Sequence, residues 1–220
     1  MQRKIAAVYT ALALVSIAVS FAPLFPGVGL VRALPTAVLA AAVLPLTRGR
    51  FGMAIAVAVA LGSVGDFCLA SQSRTWFVPG LVAFLIGHLF YLKAFGRDWA
   101  VTGKRMLMLL PGIAGLALLT ILTLLRLVRA EETGLIAPVL VYAAVLGATM
   151  AVCLFHRSPT PWIAAGGVVF VISDAHIAVN HMLLESPLLP ITLSGYTTYY
   201  LAQYLLAHGA ACESAAWDKR

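Results

Sequence analysis

The sequence predicts an all-α protein, a polytopic membrane bundle of eight transmembrane helices. Of its 220 residues, 62% are hydrophobic and only 10% are charged, and the mean hydropathy is +0.97. A soluble domain carries roughly 25% charged residues, so this chain has too few charges to cover a soluble surface. Apolar stretches of about 20 residues, the length that crosses a hydrocarbon core, recur along the whole chain.

The eight apolar segments follow one another with short connections. They are predicted at about 4–22, 28–46, 51–71, 76–96, 105–126, 134–155, 161–182 and 193–212. Pro23 and Pro26 end the first segment, and Pro161 opens the seventh. The stretch 185–190, which contains two prolines, separates the last two segments. Because no connection can hold a soluble domain, residues 1–220 are predicted to form a single integral membrane domain.

The first segment follows Arg3 and Lys4, as the apolar part of a signal peptide would. However, the sequence SFAPLFPG offers no clear cleavage site, and another apolar segment follows at once. We expect the first segment to remain as a transmembrane helix.

Basic residues are distributed unevenly between the two predicted sides. With the N-terminus inside, eleven of the fifteen fall on the cytoplasmic side, and only Arg32, Arg74, Arg126 and Arg129 fall on the other. The positive-inside rule therefore predicts that both termini are cytoplasmic. This bias accounts for the net charge of +7, so no nucleic-acid partner is needed. The expected location is the cell (inner) membrane of a bacterium.

Two aspartates lie deep within predicted helices: Asp66 in LGSVGDFCLA and Asp174 in VVFVISDAHIAV. A carboxylate in hydrocarbon costs about 2.5–3.5 kcal/mol on insertion scales, so we interpret both residues as functional. Their two segments run in the same direction. At a rise of about 1.5 Å per residue, both aspartates fall in the outer half of the bundle. The sequence therefore predicts that they meet there as an acid–base pair.

Other polar residues lie at or near this depth. Tyr199, Tyr200 and Gln203 in the last segment overlap the depth of the aspartates. His88 lies deeper in the fourth segment, where it either joins the site or hydrogen-bonds a backbone carbonyl. Arg32 opens the second segment, and two interpretations stay open for it: reaching the membrane interface or binding a lipid phosphate. The three cysteines show no metal-site spacing, and no metal or other cofactor is predicted.

The chain resembles the YhhN family, also called the lysoplasmalogenase-like family, from about residue 30 to residue 210. The similar segments are SVGDFCLA, WFVPGLVAFLIGHLFYLKAF, APVLVYAAVLGATM, GGVVFVISDAHIAV and YYLAQYLLAHG, in this order and spacing. The resemblance makes Asp66 and Asp174 the family's acidic pair. It also marks further motif positions at His88, Tyr91, Tyr142, Tyr200 and Gln203. Family members often carry Lys-Pro where this chain has Arg32-Ala-Leu-Pro35, so the charge is kept at a different offset.

The resemblance implies hydrolysis of the vinyl ether bond of a lysoplasmalogen, giving a fatty aldehyde and a glycerophospho-base. Protonation of the alkene carbon distal to the ether oxygen gives an oxocarbenium ion, to which water adds. The reaction needs a carboxylic acid that is protonated near neutral pH and a carboxylate that stabilises the cation and accepts a proton from water. The expected partner is a lysophospholipid from the bilayer, bound by Arg32, His88, Tyr91, Tyr142, Tyr199, Tyr200 and Gln203.

Three alternatives use the same aspartates differently. A proton-coupled transporter or lipid-binding protein would also retain buried carboxyls. An intramembrane aspartyl protease would be expected to show GxGD, but Ser63 stands two residues before Gly65. Purely structural aspartates would instead hydrogen-bond neighbouring helices, and their removal would impair folding.

Overall fold

The computed structural model describes residues 3–71 and 73–217, except for the side chain of Arg74. The described residues form eight α-helices: α1 (Arg3–Ala18), α2 (Val28–Val43), α3 (Gly49–Ala70), α4 (Arg74–Phe95), α5 (Gly103–Arg129), α6 (Ile136–Phe155), α7 (Trp162–Ala178) and α8 (Leu189–Trp217). Short 3₁₀ turns extend α1 and α2 and precede α6, and a π-helical turn, Val179–Leu183, continues α7. The predicted all-α class with eight helices is confirmed.

Seven of these helices, with the turns that adjoin them, are long and apolar enough to cross a membrane. The protein is therefore a multi-pass membrane protein. The remaining helix, α8, is the longest at 29 residues, and it begins earlier and ends later than the sequence predicts. Its start at Leu189 is compatible with Pro190, because the backbone N–H groups in the first turn of a helix make no intrahelical hydrogen bond and proline lacks only this group.

The helices pack as neighbours in chain order, with α8 drawn into the centre. The pairs α2–α3, α3–α4 and α7–α8 are packed most extensively. Helix α1 packs against α2 and α8, and the Tyr9 hydroxyl donates to the Tyr200 carbonyl at 2.7 Å. In contrast, α5 lies at the periphery, where only Thr123 and Leu127 among its 27 residues are buried. The core is therefore built around α3 and α8, while α5 covers one side.

Aromatic side chains fill the interior between α4, α7 and α8. This aromatic layer consists of Phe84, His88, Tyr91, Phe170 and Tyr199. The His88 ring lies 4.6 Å from Phe170, and the Tyr199 ring lies 5.6 Å from Phe84 and 5.9 Å from Phe170, measured between centroids. Large rings keep these helices apart while closing the space between them, which fixes where polar groups can lie.

A buried polar pair joins helices at the end of the bundle where α4, α6 and α8 finish. His156 Nε2 lies 2.7 Å from Glu213 Oε2, and His156 Nδ1 lies 2.9 Å from the Phe95 carbonyl oxygen. Both side chains are buried. The orientation of the bundle stays a prediction. Of the basic residues counted for it, Lys219 and Arg220 lie outside the described residues, as does the side chain of Arg74.

Candidate functional site

Asp66 lies on α3, four residues before the helix ends, with only 2% of its surface exposed. Thr36 Oγ1 on α2 donates to Asp66 Oδ2 at 2.8 Å. Tyr199 on α8 also interacts with this carboxyl. The sequence analysis missed Thr36, although it follows Arg32 by four residues and therefore shares its face of α2.

Glycines on α3 allow the neighbouring helices to approach Asp66. A Cβ atom at Gly62 would lie 2.5 Å from Gln203 Nε2 and 2.6 Å from the Tyr199 hydroxyl oxygen. A Cβ atom at Gly65 would lie 2.5 Å from the Phe84 ring. An added side chain at either position would force these neighbours to shift, so the two glycines let α3 lie close to both α4 and α8.

Arg32 lies near the start of α2 and is 5% exposed. Its guanidinium carbon stands 3.9 Å from the centroid of the Tyr196 ring, and its Nη2 donates to Ser20 Oγ at 3.0 Å. Its Nη1 has no hydrogen-bond partner among the described residues. The side chain is held inside the protein by stacking on Tyr196.

Arg32 and Asp66 line the same cavity, which we call the polar cavity. It measures about 80 Å³ and is also lined by Tyr196 and Tyr199 of α8 and by Asn180 and His181 of the π-helical turn. Asn180 Nδ2 donates to Thr192 Oγ1 at 3.0 Å, and Asn180 Oδ1 accepts from the Leu188 amide at 3.1 Å. These bonds hold the π-helical turn against the start of α8.

Asp174 lies on α7 and is 5% exposed. Its Oδ2 accepts a hydrogen bond of 2.6 Å from the Tyr142 hydroxyl on α6 and lies 3.3 Å from His88 Nε2 on α4. Its Oδ1 and His88 Nδ1 have no partner among the described residues. The carboxyl is therefore held through Oδ2, whereas Oδ1 is buried without a hydrogen bond to the described residues.

Asp174 and Tyr142 line a second cavity of about 330 Å³, which we call the apolar chamber. It lies between α4, α5, α6 and α7, and most of its wall consists of aliphatic side chains, such as Leu81, Leu119 and Leu146. Ile177 lines both the apolar chamber and the polar cavity. The two cavities therefore adjoin at the Ile177 side chain on α7.

A chain of hydrogen bonds links Tyr91 on α4 to Gln203 and Tyr199 on α8. The Tyr91 hydroxyl donates to Gln203 Oε1 at 2.5 Å, and Gln203 Nε2 donates to the Tyr199 hydroxyl oxygen at 3.3 Å. In contrast, Tyr200 donates to the Arg32 carbonyl at 2.9 Å and pairs with Ser16 at 2.5 Å. Tyr200 supports α2 from behind and lines neither of the two cavities.

The structure differs from the expectation that Asp66 and Asp174 meet. Their helices, α3 and α7, have little direct packing between them in the described part of the chain, and each aspartate lines its own cavity. The rise per residue gives the depth of a side chain but not its direction. Here the two carboxyls share a half of the bundle but face different spaces.

The described residues contain no group of three or more His, Cys, Asp or Glu side chains that could hold a metal ion. Of the predicted site residues, Arg32, Asp66 and Tyr199 lie together at the polar cavity, and His88, Tyr142 and Asp174 lie together at or beside the apolar chamber. Gln203 hydrogen-bonds both Tyr91 and Tyr199, and the Tyr91 ring lies 6.4 Å from the His88 ring, measured between centroids.

The fold and site define a class of protein: a multi-pass membrane protein with buried carboxyls at two cavities inside the bundle. Residues 28–210 match the YhhN family, and the chain belongs to it. A lysoplasmalogenase of Mycobacterium bovis is 31% identical over 175 residues, which cover 78% of this chain and 65% of that relative. Lysoplasmalogenase TMEM86B of Homo sapiens is 31% identical over 183 residues, which cover 82% of this chain and 74% of that relative.

The match to the mycobacterial relatives thus covers less than two thirds of their length. No solved structure matches this chain.

Proposed function

We propose that this protein hydrolyses the vinyl ether bond of lysoplasmalogens and releases a fatty aldehyde and a glycerophospho-base. The observation that carries the proposal is the placement of two buried carboxyls, each on the wall of a cavity, in the same half of the bundle as a buried arginine with an unpartnered nitrogen. The names of the mycobacterial and human relatives support the same activity.

The chemistry needs an acid and a base but no contact between them. A proton added to the alkene carbon distal to the ether oxygen produces an oxocarbenium ion, water adds to the carbon beside the oxygen, and the hemiacetal collapses. General acid–base catalysis of this kind contributes typically about 10²–10⁴-fold to a rate. We assign the two roles to Asp66 and Asp174, which act on the substrate and on water from separate cavities.

Arg32 is proposed to bind the phosphate of the substrate. A guanidinium forms charge-assisted bonds to phosphate oxygens with defined geometry, and Arg32 Nη1 has no hydrogen-bond partner among the described residues. His88 and Tyr142 position the Asp174 carboxyl, while Gln203, itself bonded to Tyr91, positions Tyr199 beside Asp66. Tyr200 positions α2 through the Arg32 carbonyl.

The test is aldehyde release by the purified protein from a lysoplasmalogen, with the matching alkyl-ether and acyl lysolipids run in parallel. The expected result is aldehyde from the vinyl ether alone, because only its alkene carbon accepts a proton. A monodisperse protein that releases no aldehyde would contradict the proposal. Tight binding or transport of the lipid without product would favour the transporter or lipid-binding alternative instead.

A further inference from the structure

We infer that the apolar chamber is the binding site for the single hydrocarbon chain of the lysolipid, and that this makes Asp174 the proton donor. The inference rests on the proposed function for its choice of ligand. Three observations support it: the apolar composition of the chamber wall, the Asp174 oxygen that lacks a hydrogen-bond partner among the described residues, and the loose packing of α5 against α4.

The wall of the apolar chamber suits a hydrocarbon chain. Its volume of about 330 Å³ lies within the range of about 300–1,000 Å³ that is usual for small-ligand sites. Besides Asp174 and Tyr142, the polar side chains among its lining residues are Thr120 and Thr123. Their hydroxyls donate to carbonyls of their own helix, those of Leu116 and Leu119. The wall therefore offers a chain mostly methyl and methylene groups.

Asp174 is the exception in this wall, and its Oδ1 has no partner among the described residues. A buried polar group without a hydrogen bond costs free energy, and packing alone does not explain its presence. Such an oxygen is useful if the ligand brings a reactive group to it. A saturated chain of a bilayer phospholipid brings none, whereas the alkenyl chain of a lysoplasmalogen carries its double bond at the end next to the ether oxygen.

A route into the apolar chamber exists between α4 and α5. These two helices have little direct packing between them in the described residues. Val78 and Val82, which line the apolar chamber from α4, are 47% and 45% exposed. Helix α5 is held mainly by α6, α7 and the π-helical turn. A chain can therefore enter from the side of the bundle that faces lipid.

The order of atoms in the substrate then assigns the acid. Along the molecule, the head group is followed by the ether oxygen, by the carbon that accepts water and by the carbon that accepts the proton, which is on the chain side. The aspartate that shares the apolar chamber with the chain, Asp174, transfers its carboxyl proton to that carbon, and the π electrons form the new C–H bond. Water adds its oxygen to the neighbouring carbon, and the first proton that it loses replaces the one that the acid gave to the alkene. The remaining hydroxyl proton of the hemiacetal passes to the glycerol oxygen as the C–O bond to glycerol breaks and the aldehyde forms.

The test introduces a large side chain into the apolar chamber and measures how lipid binding then depends on the length of the hydrocarbon chain. Leu119→Trp places a large ring in the apolar chamber from α5, and Leu118→Trp places the same ring on the outer face, where Leu118 is 59% exposed. The probes are dodecyl and octadecyl alkyl-ether lysolipids, which are not cleaved. Since each buried methylene contributes about 0.8 kcal/mol, the loss of space for two of them weakens octadecyl binding about tenfold.

We expect Leu119→Trp to bind the octadecyl lipid with this loss and to bind the dodecyl lipid as the wild type does. Leu118→Trp should bind both lipids as the wild type does. Equal octadecyl affinity in the two folded variants would overturn the assignment of the apolar chamber. If Leu119→Trp fails to fold, Thr120→Leu, which adds apolar volume at the next lining position, replaces it with the same expected selectivity.

A separate experiment tests whether Asp174 donates the proton. Asp174→Asn is expected to bind the octadecyl alkyl-ether lipid as the wild type does, yet to release aldehyde from the matching lysoplasmalogen about 10²–10⁴-fold more slowly. Aldehyde release by this variant at the wild-type rate would overturn the donor role. If the wild type itself releases no aldehyde, the proposed activity fails, while the binding comparison still decides whether the apolar chamber holds a chain.

Discussion

At the residue scale, the two aspartates differ in their surroundings. Asp66 accepts from Thr36, interacts with Tyr199 and shares the polar cavity with the cationic Arg32. Asp174 accepts a hydrogen bond from Tyr142, lines the apolar chamber, and has one oxygen, Oδ1, that is buried without a hydrogen bond to the described residues. Carboxyls in unlike environments suit unlike tasks in acid–base catalysis, so we expect the two residues not to be interchangeable.

Arg32→Gln tests the proposed phosphate site. A hydrogen bond to a charged group contributes about 1.5–3 kcal/mol, which corresponds to roughly a 10- to 150-fold rise in KM for a lysoplasmalogen. The same variant should show an unchanged KM for an alkenyl glycerol that lacks the phosphate. Steady-state kinetics of aldehyde release on both substrates measures the difference.

The matched control for Arg32→Gln is Arg126→Gln, which removes an exposed arginine near the end of α5. Its KM should equal that of the wild type. A similar rise in KM for both variants, or for both substrates, would mean that Arg32 acts through general charge or through folding.

His88 and Gln203 are predicted to contribute less than the aspartates. His88 lies 3.3 Å from Asp174 Oδ2, a long contact, and Gln203 acts through Tyr91 and Tyr199. We expect His88→Ala and Gln203→Ala to lower kcat, but by less than Asp174→Asn does. A kcat equal to that of the wild type would remove either residue from the site.

At the element scale, the position of α8 against α3 depends on Gly62. A methyl group there would displace the Gln203 amide and the Tyr199 hydroxyl, so Gly62→Ala should reduce aldehyde release while the helices still form. Gly115→Ala on α5, where an added Cβ meets nothing within 4 Å, is the control. Equal activity in both variants would show that the α3–α8 contact does not set the geometry of the site.

The His156–Glu213 pair ties α6 to α8 at the other end of the bundle. His156→Ala would leave the buried Glu213 carboxyl without this partner, and such a loss costs about 1–3 kcal/mol. We expect a lower Tm in detergent. Arg157→Gln loses only an exposed ion pair to Asp98, worth about 0–1 kcal/mol, and should keep its Tm. Equal Tm values would contradict a structural role for the pair.

Helix existence could be predicted because hydropathy and prolines mark each segment. The ends of α8 could not be predicted, since its last turns carry Glu213, whose partner His156 lies at the end of another helix. The separation of the two aspartates could not be predicted either, because it depends on which side chains form the aromatic layer. Depth along a helix is readable from sequence, whereas the direction that a residue faces depends on neighbours distant in the chain.

At the scale of the whole molecule, the buried polar groups include the residues at the two cavities and the His156–Glu213 pair at the other end of the bundle. The similar depth of Arg32, Asp66 and Tyr199 could be predicted, whereas their meeting at one cavity depends on the direction that each residue faces. The apolar chamber could not be predicted, since it results from the loose packing of α5 against α4. Placement of both termini in the cytoplasm stays a prediction from the distribution of basic residues.

The central claim is that both buried carboxyls act in the chemistry. Its most direct test compares aldehyde release from a lysoplasmalogen by Asp66→Asn, by Asp174→Asn and by Asp98→Asn, the last of which changes an exposed carboxyl. All three should remain monodisperse with a Tm close to that of the wild type. We predict a loss of about 10²–10⁴-fold for each of the first two variants and no loss for Asp98→Asn. Wild-type rates in a folded Asp66→Asn or Asp174→Asn protein would contradict the account.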